Sequence, residues 1–464
     1  MNKKIFLLAL LLFFLFTLPL VSQSDFSSSS GGIDFSGTIE TLWAVETPWA
    51  EDVSWKDSET VGDFTIGNTS FTGKVDAYWG ESSAFFQGSV FYDAVENSLG
   101  YNISELWADY SSSFWGIRVG KQKIVWGASD GVDIVNIICP SDMSSFSAIT
   151  SDDEKMAVDA ARLSFSADFF SADLYWIPFF TPTKLPLDEN SSLRKFIVPT
   201  SVDYPIEALN TTLTLPISLS PFTKPSLSVQ NGEYAAKLAF YFSSLDVSFY
   251  GFYGWEDVPI LDYTVCYGQP EEHYYVALPN GITVSGEYKR LSMCGFDMSI
   301  PLGPTVLRLE SAVFPFRYFQ RSSEKIIEEK YTNTEVASSS QHHQISALAG
   351  LDWMPQDWVI TAQYFCDYVF GDISDLERTE NFTHGATLSI SKTFLQETLE
   401  VSLSAVLNFN DFDSVIYPEI KYSLSDYIAF SCGAFVFLPG VDSDGEYGKY
   451  KELTSVFVSA KYVF

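Results

Sequence analysis

The feature that most limits the fold is a two-residue rhythm repeated in segments of roughly ten residues. In WVITAQYFCD, Trp358, Ile360, Ala362, Tyr364 and Cys366 fall on one face, and Thr361, Gln363 and Asp367 on the other. Leu399, Val401, Leu403, Ala405 and Leu407 repeat the pattern, as do Ile345, Ala347, Ala349, Leu351 and Trp353, and Ile428, Phe430, Cys432, Ala434 and Val436. Helical spacing is almost absent, and after the first residues no apolar run approaches the length of a spanning helix. Alternating segments of about this length are what crosses a bilayer at a tilt in β form.

A soluble sandwich alternates too, so the connections have to decide. Short links at Ser243-Ser244, at Pro355-Gln356 and from Ser423 to Asp426 alternate with long polar ones. Short turns on one side and long loops on the other are the signature of an outer-membrane barrel. The expected fold is therefore all-β, a transmembrane antiparallel up-and-down barrel of about eighteen strands, although the boundaries also accommodate sixteen. The threading needs one long strand from Ile282 to Ile300. Splitting it would move the polar segment 316–342 to the wrong side.

Lys3 and Lys4 precede an apolar run from Ile5 to Leu20 and a small polar stretch at Ser22 to Ser24. Residues 1–23 thus read as a secretory signal peptide, and residues 24–464 as the barrel of an exported, outer-membrane protein. The chain carries a net charge of −32, which argues against a nucleic-acid partner. Most of the excess acid falls in the long polar segments, where water solvates it cheaply. The partners implied are outer-membrane lipids, the barrel-assembly machinery, and a small solute or hydrophobic ligand; the oligomeric state stays open.

Nothing in the chain reads as a catalytic centre, so no enzyme activity and no cofactor is expected. His273, His342, His343 and His384 lack a Ser or carboxylate partner at a recognisable spacing, and there is no G-x-S-x-G or H-E-x-x-H. Asp130, Asp133, Asp142, Asp152, Asp153 and Glu154 crowd one loop, but their spacing fits no calcium motif, and no metal site is expected. Cys294, Cys366 and Cys432 lie on apolar strand faces, which leaves Cys139 and Cys266, both in outer segments, as a possible disulfide. Residues 178–230 contain eight prolines and read either as a lid or plug over a site or as a folded surface cap.

One strand breaks in an unusual way. In GKQKIVWGASDGVDIVNIICPSD, residues 120–142, the alternation stops after Trp126 and Gly127 and the chain turns acidic. Arg118 and Gln122 should face the lumen, which puts Lys121 and Lys123 on the lipid side unless the strand bulges or they sit at the interface. The segment from Arg118 to Asp142 resembles the R-x-G-(K/R)-Q-x-x-x-W-G … N-x-x-x-P-x-D stretch of a porin-like bacterial outer-membrane family of largely uncharacterised function. The matching residues are Arg118, Gly120, Lys121, Gln122, Trp126, Gly127, Asn136, Pro140 and Asp142; Ile137 to Cys139 depart from the pattern. The last strand, SVFVSAKYVF, resembles the assembly signal of bacterial outer-membrane barrels, with Tyr462 and Phe464 as its aromatic marks.

The resemblance implies a porin-like barrel. The residues add a constriction or loop anchor built from Arg118, Lys121, Gln122, Trp126, Asp130, Asp133, Asn136 and Asp142, with the loop acids facing Arg118 and its basic neighbours across the lumen. The functional expectation is a diffusion channel for small solutes, its acidic mouth favouring cations or neutral molecules. Two alternatives stay open: a transporter of hydrophobic compounds, using the loop at 178–230 and lumen aromatics such as Tyr241 and Phe252, and a surface adhesin or recognition barrel.

Overall fold

The computed structural model describes residues 31–47, 63–150, 154–188, 191, 193–198, 200–206, 211–268, 279–332, 336–441 and 444–464. The segment 1–23 and residues Asp152, Asp153 and His273 lie outside this set. Alternation fixes the architecture, because a strand with one apolar and one polar face must set the two against different media. The wall begins with β1 (Gly31–Glu46), β2 (Phe64–Trp79), β3 (Ser82–Asp93), β4 (Ser98–Ser111), β5 (Trp115–Gln122), β6 (Val158–Ala167) and β7 (Phe170–Ile177). Two strands, β8 (Ser201–Ile206) and β9 (Thr211–Leu219), then leave it, and β10 (Glu233–Tyr241) and β11 (Asp246–Trp255) return to it.

A second excursion, β12 (Ile260–Tyr267) and β13 (Pro279–Glu287), is followed by β14 (Arg290–Leu302), β15 (Thr305–Gln320), β16 (Ser339–Trp353) and β17 (Trp358–Val369). The wall ends with β18 (Phe382–Phe394), β19 (Leu399–Asn408), β20 (Ser414–Ser425), β21 (Ile428–Leu438) and β22 (Ser455–Val463). Eighteen antiparallel strands form one sheet, and β1 pairs with both β2 and β22, so the sheet closes and has no edge. Trp358, Tyr364 and Tyr368 of β17 point outward, whereas Thr361 and Gln363 point inward and are buried.

The expected continuous strand from Ile282 to Ile300 is in fact two. β13 ends at Glu287, Tyr288 and Lys289 turn the chain, and β14 starts the wall at Arg290. The side assignment survives because β13 never enters the wall. It joins β12, β9 and β8 in a separate four-stranded sheet, where its pairing with β9 is parallel. Leu215, Ile282 and Val284 form the core of this outer sheet, and Ile327 of a helix, α3 (Ser323–Thr332), packs against it. Lys330 of α3 also reaches Asp262 of β12, with Nζ to Oδ1 at 2.6 Å. Residues 178–230 are therefore not structureless: they supply β8, β9 and a short helix, α2 (Arg194–Ile197).

The tight links collect at one rim. Gly80 (φ 59°) and Gly303 (φ 68°) make two of them, at a backbone conformation that a Cβ disfavours. The long connections, residues 123–157 and 178–232 among them, collect at the other rim.

Candidate functional site

The site is built where residues 123–157 leave β5 and fold into the barrel. The departure starts at Gly120, whose φ of 133° suits only glycine and where a Cβ would meet the Leu106 carbonyl at 2.3 Å. Gln122 is then fully buried and donates to the Ala160 carbonyl at 2.9 Å. The apolar residues of the loop go against the inner wall. Ile124, Trp126, Ile134, Val135, Ile138 and Cys139 share one buried cluster with Tyr175, Tyr250, Phe252, Met293, Phe314 and Leu348 from β7, β11, β14, β15 and β16. Trp126 lies between two of these rings, with centroids 6.1 Å from Tyr175 and 4.9 Å from Tyr250.

Polar contacts fix the loop tip. Glu310 of β15, 1 % exposed, accepts the backbone N–H groups of Val135 and Ala128 at 2.9 Å and of Ser129 at 3.0 Å. Gly127 donates to the Tyr250 hydroxyl at 3.2 Å, and Tyr250 in turn donates to Asp297. Arg308 donates to the Ala128 carbonyl at 2.7 Å and pairs with Asp352, while Gln363 accepts from the Asp130 N–H at 3.0 Å. A loop whose backbone donors end on wall side chains has the partners a buried backbone requires.

The loop then crosses the lumen. Asn68 of β2 donates to Ser147 at 2.7 Å, and Phe146, on a short helix α1 (Phe146–Ile149), packs on Phe435 of β21 with ring centroids 5.3 Å apart. Segment 178–230 is tied to it: Asp142 pairs with Lys184 at 2.5 Å, Ser191 donates to the Ser144 carbonyl at 2.9 Å, and Lys195 pairs with Glu452.

The residues singled out from the sequence are dispersed along this path. Arg118 faces the lumen, pairs with Asp109 of β4 at 3.1 Å and lies 3.7 Å over the Trp107 ring. Lys121 shares the outward face with Leu106, and its amine reaches the Ala157 carbonyl at 3.3 Å near the outer end of the wall. Lys123 is a correction: it lines the lumen rather than the lipid side, because the alternation ends at Gln122. Asn136 braces the two limbs of the loop, accepting from the Trp126 N–H at 3.1 Å and donating to Asp133 at 2.9 Å. Asp130 is held by its backbone at Gln363.

The loop acids do not face Arg118. Asp133 pairs with Lys155 at 2.5 Å and Asp142 with Lys184, so each is answered by a lysine of the outer segments themselves. Glu154 has its carboxyl pushed up, chiefly by burial. Among the described residues no group of three or more His, Cys, Asp or Glu side chains is placed to hold a metal ion. Between the loop and the wall lies a polar recess of about 180 Å³, lined by Arg118, Lys123, Trp126, Arg162, Asp173, Tyr175 and Lys237 among others. Arg162 pairs with Asp173 at 2.8 Å, and Lys237 stands 5.5 Å over the Tyr250 ring. The recess is therefore richer in cations than in carboxylates, inside a strongly acidic chain.

Other expectations need correcting. Cys139 and Cys266 are both free thiols: Cys139 is buried under the loop, where it accepts from the Ile124 N–H at 3.2 Å and burial pushes its thiol up to about 11, and Cys266 sits on β12, 3.3 Å from the Thr283 hydroxyl. The two cysteines lie in different layers and have different neighbours. Tyr241 and Phe252 do not form a common greasy site, since Phe252 is covered by the loop and Tyr241 contacts Ser171 at the far end of β10. The described histidines are rim residues: His342 contacts the Phe370 carbonyl and Ser340, His343 accepts from the Phe316 N–H, and His384 contacts the Tyr364 hydroxyl. Tyr462 and Phe464 stack at 5.9 Å, and Phe464 exchanges backbone hydrogen bonds with Gly37 where the barrel closes.

No family model matches the chain, and no curated protein does. Solved structures do resemble it. OccAB2 of Acinetobacter baumannii shares 8% identity, with 93% of this chain and 98% of that one covered at a TM-score of 0.49. The outer membrane channel DcaP of the same organism shares 10% over 94% of this chain and 99% of its own, at a TM-score of 0.42. OccK2 (OpdF) of Pseudomonas aeruginosa shares 10% over 93% and 97%, at 0.46.

Proposed function

We propose that the protein is a channel of the bacterial outer membrane through which small polar solutes diffuse, without covalent chemistry, and that residues 123–157 form its constriction. The observation that carries this reading is the inward loop: a barrel built only to display surface loops has no use for a segment anchored by Glu310 inside its lumen. The recess beside Arg118, Arg162 and Lys237 is then the narrow part of the path, and the acidic outer segments form the mouth. Rings and patches of charge set ion preference at such points. The mouth favours cations and neutral solutes, while the recess opposes that preference locally.

Single-channel recording of the refolded protein in planar bilayers under a salt gradient tests both parts. Stable current steps with cation preference are expected. In Lys237→Ala, which removes one recess cation, the cation preference should rise. A folded, closed barrel that never conducts would remove the channel reading.

A further inference from the structure

The stretch that leads from the outer sheet back to the wall carries no acid. Between Glu207 and Glu233 no Asp or Glu occurs, in a chain of net charge −32, and Lys224 is the only charged residue. After β9 the chain follows β13, with the Ser220 N–H on the Val284 carbonyl and the Thr223 N–H on the Gly286 carbonyl, both at 2.8 Å. Residues 226–231 then come down against the outside of the barrel at its outer rim, beside Tyr234 of β10, Trp255 of β11 and Arg290 of β14. Tyr234 and Tyr253 are paired neighbours on the outward face, as Ala235 and Phe252 are on the buried inner one.

Here the wall supplies the donors that the backbone needs. The Val229 carbonyl accepts from the Tyr234 hydroxyl at 2.8 Å and the Asn231 carbonyl from the Trp255 indole at 2.8 Å. The two Nη atoms of Arg290 donate to the Gln230 and Gly232 carbonyls, at 2.7 and 3.2 Å. Within the segment, Asn231 donates its N–H to the Ser228 carbonyl at 3.1 Å and its Nδ2 to the Ser226 carbonyl at 2.8 Å. Every carbonyl from Ser228 to Gly232 thus has a donor from the protein. Arg290 itself lies 4.0 Å over the Trp255 ring and 4.9 Å over that of Tyr253. A loop tip in water leaves its carbonyls to the solvent, whereas backbone in hydrocarbon has to find its donors in the protein. The apolar side chains do the opposite. Leu227 and Val229 are 78% and 66% exposed, held away from the protein by the same contacts that fasten the backbone to it.

We propose that residues 226–231 form a foot seated in the outer leaflet of the membrane, with Leu227 and Val229 in its acyl layer. Lipid is the occupant of this surface because the foot continues the lipid-facing wall. Tyr234 and Tyr253 beside it, and Leu238 and Phe249 deeper on the same two strands, are exposed on that face as well. Tyr, Trp and Arg are the side chains that suit the boundary between headgroups and hydrocarbon. The missing acids are among the residues costliest to immerse, and Lys224 has a stem long enough to keep its charge in water. Since Thr223 joins the foot to β13, the foot also fastens the outer sheet to the membrane. This goes beyond the diffusion channel and rests only on a barrel that spans a membrane, not on what passes through it.

Photolabelling of the refolded protein in phosphatidylcholine vesicles tests the foot, with the diazirine carried either on a lipid acyl chain or on a small water-soluble reagent. The acyl-borne reagent is expected to label Leu227 and Val229 with a yield comparable to that at Leu238 of the wall, and the water-soluble one to label them poorly. In Leu227→Asp/Val229→Asp, two charges at the leaflet should lower the acyl-borne yield across residues 226–231 about tenfold, with that at Leu238 unchanged. Both side chains are exposed, so the exchange removes nothing from a core. Labelling of Leu227 and Val229 mainly from water would place the foot in solvent and overturn the proposal. Protection from both reagents would mean that another protein surface covers it, and would overturn the proposal equally. So would an unchanged acyl-borne yield in the variant. The conductance of the same variant, expected to match the native protein, reports on the channel separately, so either reading can fail alone.

Discussion

Glu310 is the residue on which the inward loop depends most. Its carboxylate receives three backbone donors from the loop. In Glu310→Ala these donors lose their partner, at a cost of about 1–3 kcal/mol for each one that stays buried. The expected outcome is a loop that leaves the wall: larger and noisier conductance, and new protease cleavage near Ala128, with the barrel itself still folded. Glu310→Gln keeps one acceptor oxygen and should fall between Glu310→Ala and the native protein. Gly127→Ala should resemble Glu310→Ala, since its φ of 86° disfavours a side chain and the added Cβ would sit 2.6 Å from the Glu310 carboxylate. None of this was legible in the sequence. Glu310 looks like any lumen-facing acid of an alternating strand, and its donors lie some 180 positions earlier. Trp126 stands just past the point where the rhythm breaks, whereas Arg118 lies inside β5 and its pairing with Asp109 gave no signal in the sequence.

At the scale of elements, the outer loops are linked through charge. The β3–β4 connection, short but on the rim of the long connections, carries Glu96, whose N–H, like that of Val95, is held by Asp93. Burial, and then the charges of Asp93, Asp188 and Asp142, push the Glu96 carboxyl up to about 7. Those three acids come from β3, segment 178–230 and the inward loop, so three parts of the chain meet at one proton. The folded state binds that proton more tightly than the unfolded state. The packing of these loops is therefore firmest below the ordinary carboxyl range, and it is weakened progressively as pH rises through about 7. Hydrogen exchange around residues 94–97 and 142–144 should be slower at pH 5 than at pH 8, and Glu96→Gln should remove most of the difference. If the variant keeps the full pH dependence, another group is responsible. The same scale shows why β13 was misread. Its alternation is indistinguishable from that of a wall strand, and only the Tyr288-Lys289 turn separates it from β14. Periodicity reports that a strand has two unlike faces. It does not report whether lipid or another loop covers the apolar one.

For the whole molecule, the wall was the readable part. Each outward face of β16, β17, β19 and β21 contains the residues that alternation selects, and closure of β1 on β22 completes a count of eighteen. Charge acts at this scale too. In the proposed channel a net charge of −32 should give a long-range cation preference, opposed by the few cations of the recess. Surface fields fade with salt, over a screening length of about 10 Å at 0.1 M and about 3 Å at 1 M. Cation preference should therefore fall sharply between these two salt concentrations in the native protein. In Lys237→Ala the excess preference should persist better at high salt, because the change lies inside the recess, where ions pass at close range. Preference that does not vary with salt would assign selectivity to the narrow path alone.

The parallel pairing of β9 with β13 also constrains how the molecule is made. Ile217 to Leu219 meet Ile282 to Val284, and two wall strands, β10 and β11, lie between the partners in the chain. β9 finds β8 locally, but its other edge can be filled only by β13, which lies beyond both of those wall strands. The outer sheet is thus closed by its most sequence-distant pairing, so it is complete only when the β10–β11 hairpin is accommodated between its two halves.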